Sequence, residues 1–508
     1  MSDALFNGEE DKEPNLSQGW VTSSIGELFE IIGGGTPSTE IPSFWEGSIP
    51  WMTSADIHGL KDVTPRKKIT SDAIDKSATH CVPKGSIIVV TRVGLGKIAL
   101  APTDLCFSQD CQALIGNWSY LIPEYCLYYL SGAVQIFKYK NRGTTISGVI
   151  VKQLRELNFP LPPLPEQHRI VAKIEELFTH LDAGVASLKK AQAQLKRYRQ
   201  AVLKAAFEGR LTQEWREEHK GEIEPASELL KKISRVSKRK TTRKYERLVN
   251  GDTYYLQNLP DEWELTQVQE VGDVQLGRQR APQHHNGPNM RPYLRVANVF
   301  ENYIDVSDVK SMNFTPDEFE IYHLEYGDIL LNEGQSKELV GRPAVFRNEI
   351  PDVCFQNTLV RFRAYNGLIP EFALQLFIAY LNNGQFSKIA SQSTNIAHLG
   401  AERFAKMPFP LAPYLEQREI LSEIDRHFSI ISKINDNIEN SLRQAETLRQ
   451  SILKRAFEGK LVPQDPNDEP ASVLLERIKA EKASRATEEK KGKTLQRRSP
   501  KRTIKNAD

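Results

Sequence analysis

The chain has 508 residues, 67 Lys and Arg against 65 Asp and Glu, and a net charge of +2, so it holds several compact units and is no uniform polycation for non-specific nucleic-acid coating. Five cysteines, Cys81, Cys106, Cys111, Cys126 and Cys354, form no CxxC pair. Their odd number argues against a disulfide framework and predicts reduced core residues. No apolar run reaches membrane-spanning length and the start lacks a basic-then-apolar signal, which predicts a soluble, cytoplasmic protein with no membrane contact.

Residues 1–18 form an acidic N-terminal tail. From 19 to 160, short β-rich runs are punctuated by Gly and Pro: GWVTSSIGELFEII, the turn GGGTPS, then SIPWMTSADI, KGSIIVVTRVGLGKIAL and CFSQDCQALI. A helix is predicted over Pro123 to Lys140, followed by the polar loop NRGTTISG. The segment 161–212 opens LPPLPEQ, continues as one long helix and closes FEGRLT. EPASELLKKI then predicts a short helix, which enters a basic linker; residues 213–258 are its boundaries, and Lys231 to Arg247 carries nine basic residues and one acid.

Residues 259–410 repeat the landmarks of 19–160. Trp263 matches Trp20, RPYLRVANV matches IPWMTSADI, YGDILLN matches KGSIIVV, and CFQN matches CFSQ. LAPYLEQ and FEGKL then bracket a second long helix over 411–462, at a constant shift of 250 residues from the first. The end, 463–508, is a second EPAS helix with a basic tail from Lys479.

The plan is an internal tandem duplication. It predicts an α+β fold: two similar mixed α/β domains separated by two long antiparallel coiled-coil helices. In the first helix one seam falls on Ile170, Leu177, Gly184, Ala191, Tyr198 and Ala205, and the other on Ile174, Leu181, Leu188, Leu195 and Val202. The second helix gives Ile424, Ile431, Ile438, Ala445 and Ile452, with Ile420, Ile434 and Leu448 among the partners and His427, Ser441 and Arg455 as breaks. Gly184, Ala191 and Ser441 in the seam predict close backbone approach. Glu166 and Glu416 suit the positive helix start, and Gly209 and Gly459 a left-handed C-cap. About 40 residues at ~1.5 Å each make a rod on the order of 60 Å long.

Catalytic and metal motifs are missing. TRVGLGKI lacks the first Gly and the Ser or Thr of a phosphate loop, GGG does not open a helix, and the histidines show no ligand spacing. Asp328 with Lys337 weakly resembles the acid and lysine of metal-dependent nucleases. The sequence therefore predicts no catalytic residue and no metal, and reads as a reader or a scaffold.

A reader of DNA needs phosphate donors and forked or amide side chains for base edges, carried on loops. Candidates in the first domain are Thr36, Ser38, Arg92, Lys97, Arg142, Thr144 and Thr145. In the second they are Arg278, Gln279, Arg280, Gln283, Asn332, Gln335, Ser336, Lys337, Arg342, Gln392, Thr394 and Asn395.

PLPPLPEQHRIVAKIEELF and RQAVLKAAFEGRLT, duplicated as LAPYLEQ to FEGKL, make the chain resemble the specificity subunit of type I restriction-modification systems. The resemblance spans residues 19 to 478. It implies two target recognition domains, each reading one half of a split asymmetric double-stranded DNA site, with the helices as spacer. It further implies no catalysis and no cofactor in this chain. The partners implied are two modification subunits, which use S-adenosylmethionine to methylate adenine, and restriction subunits, which use ATP and Mg to translocate and cleave DNA. The basic linker 231–247 and tail 479–508 depart from this plan. A coiled-coil scaffold for protein partners is the alternative.

Overall fold

The computed structural model describes residues 17–140, 151–237, 258–392 and 396–497. It forms two compact units. One comprises Met1–Leu188 with Asn440–Asp508, and the other Lys189–Glu439. Both long helices, Leu164–Phe207 and Tyr414–Phe457, contribute to both units.

In the first unit the apolar run Ile87–Val90 is a strand buried on both faces. It lies in a four-stranded antiparallel sheet between Cys111–Gly116 and Ile98–Leu100, with Phe29–Gly33 on the far edge. Alternation along the strand divides its side chains between two cores. Ile87 and Val89 join Leu114, Tyr125 and Ile170 on the helix side, whereas Ile88 and Val90 meet Met52, Phe107 and Ala113. The second of these cores lies against a sheet of Lys67–Ile69, Ile49–Met52, Leu105–Phe107 and Cys81–Val82, its middle pair parallel. The predicted helix is present at Pro123–Lys140.

The second unit repeats this order. Gly272–Leu276, Leu359–Ala364, Ile329–Asn332 and Pro343–Val345 form the four-stranded sheet. Lys310–Asn313, Met290–Leu294 and Cys354–Phe355 form the other, three-stranded, in which Met290–Leu294 again runs parallel to the strand equivalent to Leu105–Phe107, Cys354–Phe355. It adds a small sheet of Gly334–Gln335, Ala397–His398 and Ser391–Gln392.

Each domain is mounted on its long helix by the Glu-Gln pair that opens it. Gln167 accepts from the Ile122 amide and donates to the Pro162 carbonyl. Gln417 does the same for Ile369 and Ala412. The two glutamates are buried receptors for an indole N–H, at 3.0 Å from Trp20 to Glu166 and 2.8 Å from Trp263 to Glu416, so they do more than face the positive helix start. Both helices end in the expected left-handed glycine, Gly209 at φ +70° and Gly459 at φ +68°. Amides of Arg210 and Lys460 return to the carbonyls of Ala205 and Arg455, closing Schellman caps.

Two sequence expectations are corrected. Leu105–Phe107 pairs antiparallel with Cys81–Val82 and places Cys106 opposite Cys81, and these two are joined by a disulfide; Cys111, Cys126 and Cys354 are free and buried. An odd total does not forbid one bond when short strands bring two cysteines opposite each other.

The helix seam is also rotated. Ile174, Leu181, Leu188, Leu195 and Val202 face inward, but their partners are Phe178, Val185, Gln192 and Arg199, while Gly184 and Tyr198 are exposed. In the second helix Ile434 and Leu448 lie outside, and Phe428, Asn435, Leu442 and Arg449 take the inner positions. The pairing is antiparallel in each unit. In the first, Arg449 stacks 4.3 Å from the Phe178 ring and pairs with Asp182. In the second, Arg199 stacks 4.5 Å from the Phe428 ring, Gln192 donates to Asn435 at 3.2 Å, and Tyr198 meets His427 at 3.0 Å.

Candidate nucleic-acid interface

Strand ends place four loops of each domain side by side. In the first domain the Gly35 amide donates to the Phe107 carbonyl and Ser108 to Met52, joining the loops that follow three strands. Thr91 donates to the Asp110 carbonyl at 2.8 Å and brings in the fourth, TRVGLGK. In the second, Asn357 donates to the Arg278 carbonyl, Gln356 to Leu294, and Glu333 to Thr358. The Leu399 amide ties the small sheet to Glu333 at 2.8 Å.

The candidates divide once burial is known. Thr36, Ser38 and Arg92 are exposed; the Thr36 hydroxyl donates to Gln109 Oε1, and Ser38 Oγ accepts from the Glu40 amide. Lys97 is exposed as well, but its ammonium donates to the carbonyls of Ser54 and Ile57 at 3.0 and 3.1 Å. Gln279, Arg280, Gln283, Lys337 and Gln392 are exposed, with Arg280 Nε donating to His285 at 3.1 Å. Gln335 and Ser336 are half-buried. Gln335 and Gln392 both stand opposite Ala397 on the small sheet, so cross-strand geometry puts all three on one face.

Three candidates are internal. Arg278 is 5% exposed, bonds Glu318 at 2.8 Å and lies over the Phe314 ring. Burial works to raise the Glu318 carboxyl, and the Thr315 amide together with Arg278 overrides it and holds the group below its ordinary value. Asn332 is fully buried at the end of its strand. Arg342 is half-buried, donates to the Val299 carbonyl and covers the Phe300 ring, and burial lowers its guanidinium from the ordinary value. Arg142, Thr144, Thr145, Thr394 and Asn395 lie outside the described residues.

Asp328, the weak nuclease candidate, is buried and taken up by Arg363 through two contacts of 2.7 Å. It precedes the strand Ile329–Asn332 and Lys337 follows it, so the two stand at opposite ends of that strand. Among the described residues no group of three or more His, Cys, Asp or Glu is arranged to hold a metal, and no helix is long and apolar enough to cross a membrane.

Gln109, Val93, Asn357 and Thr358 were not singled out by sequence, yet they sit on the same loop edges. Their signal was positional: Gln109 and Asn357 close the CFSQ and CFQN landmarks, Thr358 follows the latter, and Val93 stands two residues after VVT.

A family model described as the type I restriction modification DNA specificity domain matches residues 17–197 and again 260–444. The EcoKI specificity subunit of Escherichia coli K12 is 24% identical over 496 residues, 92% of this chain and 97% of its own length. The StySPI specificity subunit of Salmonella potsdam is 24% identical over 495 residues, 92% and 96%. A solved chain from a structure titled for assembly and conformational transition of the type I R-M system superposes with a TM-score of 0.60 at 19% identity, over 88% of this chain and 99% of that one, which establishes the fold.

Proposed function

Because the chain belongs to the type I restriction-modification DNA specificity family and carries its domain twice, we propose that it is the sequence-reading subunit of such a complex. Residues 19–160 and 259–410 each read one half of a bipartite asymmetric site, and the helices of 161–212 and 411–462 set the number of unread base pairs between them. The observation that carries this is one framework with two loop sets. The order of the main four-stranded sheet and the indole-to-glutamate mounting are the same in both units, while the exposed loop side chains differ.

The chain supplies recognition and no catalysis of its own, in the cytoplasm. Two modification subunits bring S-adenosylmethionine and methylate adenine, and restriction subunits bring ATP and Mg for translocation and cleavage. Backbone attraction by the exposed cations makes binding stronger at low salt. A scaffold that binds only proteins does not require donors such as Arg92, Arg280 and Lys337 on matching loop edges.

The test is to express the chain with its modification subunits and map methylated adenine across the genome. The expected product is a split motif with a fixed gap. Exchanging residues 19–160 for the corresponding domain of a relative changes one half only; a change in both halves, or in neither, overturns the modular reading.

A further inference from the structure

Within that reading, we propose that Arg92 and Gln109 are the base-reading side chains of the first domain, and that Thr36 and Lys97 are positioning residues which hold them. Arg92 and Val93 stand on a turn in which Gly94 and Gly96 have φ of +88° and +95°, a conformation that side-chain-bearing residues rarely adopt. The turn is closed by the Leu95 amide on the Arg92 carbonyl and by Val90 on Lys97, at 3.0 and 2.9 Å. Lys97 then nails it to the neighbouring loop by spending two of its three donors on the Ser54 and Ile57 carbonyls. Val93 is 70% exposed, and the Arg92 guanidinium has no hydrogen bond or ion pair among the described residues.

Gln109 is exposed on the adjoining loop, and that loop is tied to the turn through the Thr91 amide on Asp110. The Thr36 hydroxyl donates to Gln109 Oε1 and thereby fixes the amide plane. One lone pair of Oε1 and both N–H groups stay available, which is what two-point contact with adenine N6 and N7 needs. The Arg92 fork matches guanine O6 and N7, and the Val93 methyls suit the thymine methyl. A fork, an amide and an apolar tip are mounted on one hydrogen-bonded backbone edge, so little backbone freedom has to be lost on binding.

The test uses the assembled methylating complex in a host, with variants Arg92→Ala, Gln109→Ala, Thr36→Val and Lys97→Met. Methylated motifs and thermal unfolding are read for each. Arg92→Ala and Gln109→Ala leave unfolding near wild type, and each makes one different position of the first domain's half-site degenerate by about tenfold or more. The other half-site stays intact. Thr36→Val relaxes the Gln109 position and no new one, and Lys97→Met lowers the unfolding temperature and relaxes the position read by Arg92 and no other; an unchanged Arg92 position in Lys97→Met overturns its positioning role.

Uniform weakening of all sites by Arg92→Ala, with a shallower salt dependence, marks a phosphate contact and overturns its base-reading role. An unchanged motif in Arg92→Ala or Gln109→Ala overturns that assignment, and an unchanged Gln109 position in Thr36→Val overturns the positioning role. Absence of any split motif in the wild type instead defeats the proposed function itself. A domain exchange that moves half the motif while these variants do not defeats only the choice of residues.

Discussion

Glu166 and Glu416 are the same residue of the duplicated motif in different surroundings, and the difference sets opposite responses to one substitution. Glu416 receives Trp263, the Thr212 hydroxyl and the buried Arg216 guanidinium, the last at 2.7 Å. Glu166 receives Trp20 at 3.0 Å, and the nearby arginine, Arg169, is paired with Asp468. Burial raises the Glu166 carboxyl above 4.5, and the Trp20 indole only partly offsets it. A carboxyl raised on folding binds more protons folded than unfolded, so its contribution to stability falls as pH rises from the unfolded value through the folded one. Glu166→Gln is therefore expected to remove that slope and to be neutral or stabilising at neutral pH. Glu416→Gln leaves Arg216 buried without its counter-charge and costs about 3 kcal/mol. Denaturant titrations followed through tryptophan fluorescence at several pH values check both, and equal effects of the two variants contradict the account.

Residue types were legible in the sequence where spacing carried them, and illegible where direction mattered. The Glu-Gln pair was visible, but that its glutamates bind an indole depends on Trp20 and Trp263 arriving from 146 and 153 residues earlier in the chain. Lys97 and Arg278 looked like loop cations; one is a staple and the other the buried half of a partly buried ion pair.

At the scale of elements, the two long helices were plain from their 250-residue repeat, yet half of their seam was not. Apolar pattern selects Ile434 and Leu448, whereas the inner positions include Gln192, Asn435, Arg199 and Arg449, which pattern alone discards. Those polar groups are accommodated by each other or by a phenyl face, as in the pairing of Arg199 with Phe428 and of Gln192 with Asn435. The rotated seam predicts that Gly184→Ala stabilises the helix by about 0.5–1 kcal/mol, because a Cβ there meets nothing within 4 Å. Ile438→Ala, at a 5% exposed position, costs about 2–4 kcal/mol, while Ile434→Ala, at a 41% exposed one, stays within about 0.5 kcal/mol. Equilibrium unfolding of the full chain measures all three. Destabilisation by Gly184→Ala, or a loss at Ile434 as large as that at Ile438, restores the seam read from apolar spacing alone.

At the scale of the whole molecule, duplication makes the long helices a joint property of two units, since each helix supplies residues to both. The inner positions repeat every seven residues, so a seven-residue insertion preserves the seam where a four-residue one does not. Seven residues add about 10.5 Å of helix, close to three base pairs at ~3.4 Å each. The partner must lengthen equally, because the pairing in each unit is antiparallel and fixed by contacts such as Arg449 with Phe178 and Arg199 with Phe428. If the helices set the gap, heptads inserted after Leu188 and after Glu439 move the unread gap of the methylated motif up by about three base pairs and leave both half-sites as they were. A heptad in only one helix mismatches the seam and abolishes methylation at the original gap. Methylation that persists at the original spacing in the doubly lengthened chain shows that the gap is set elsewhere, because no packing of a longer paired helix can return the same span.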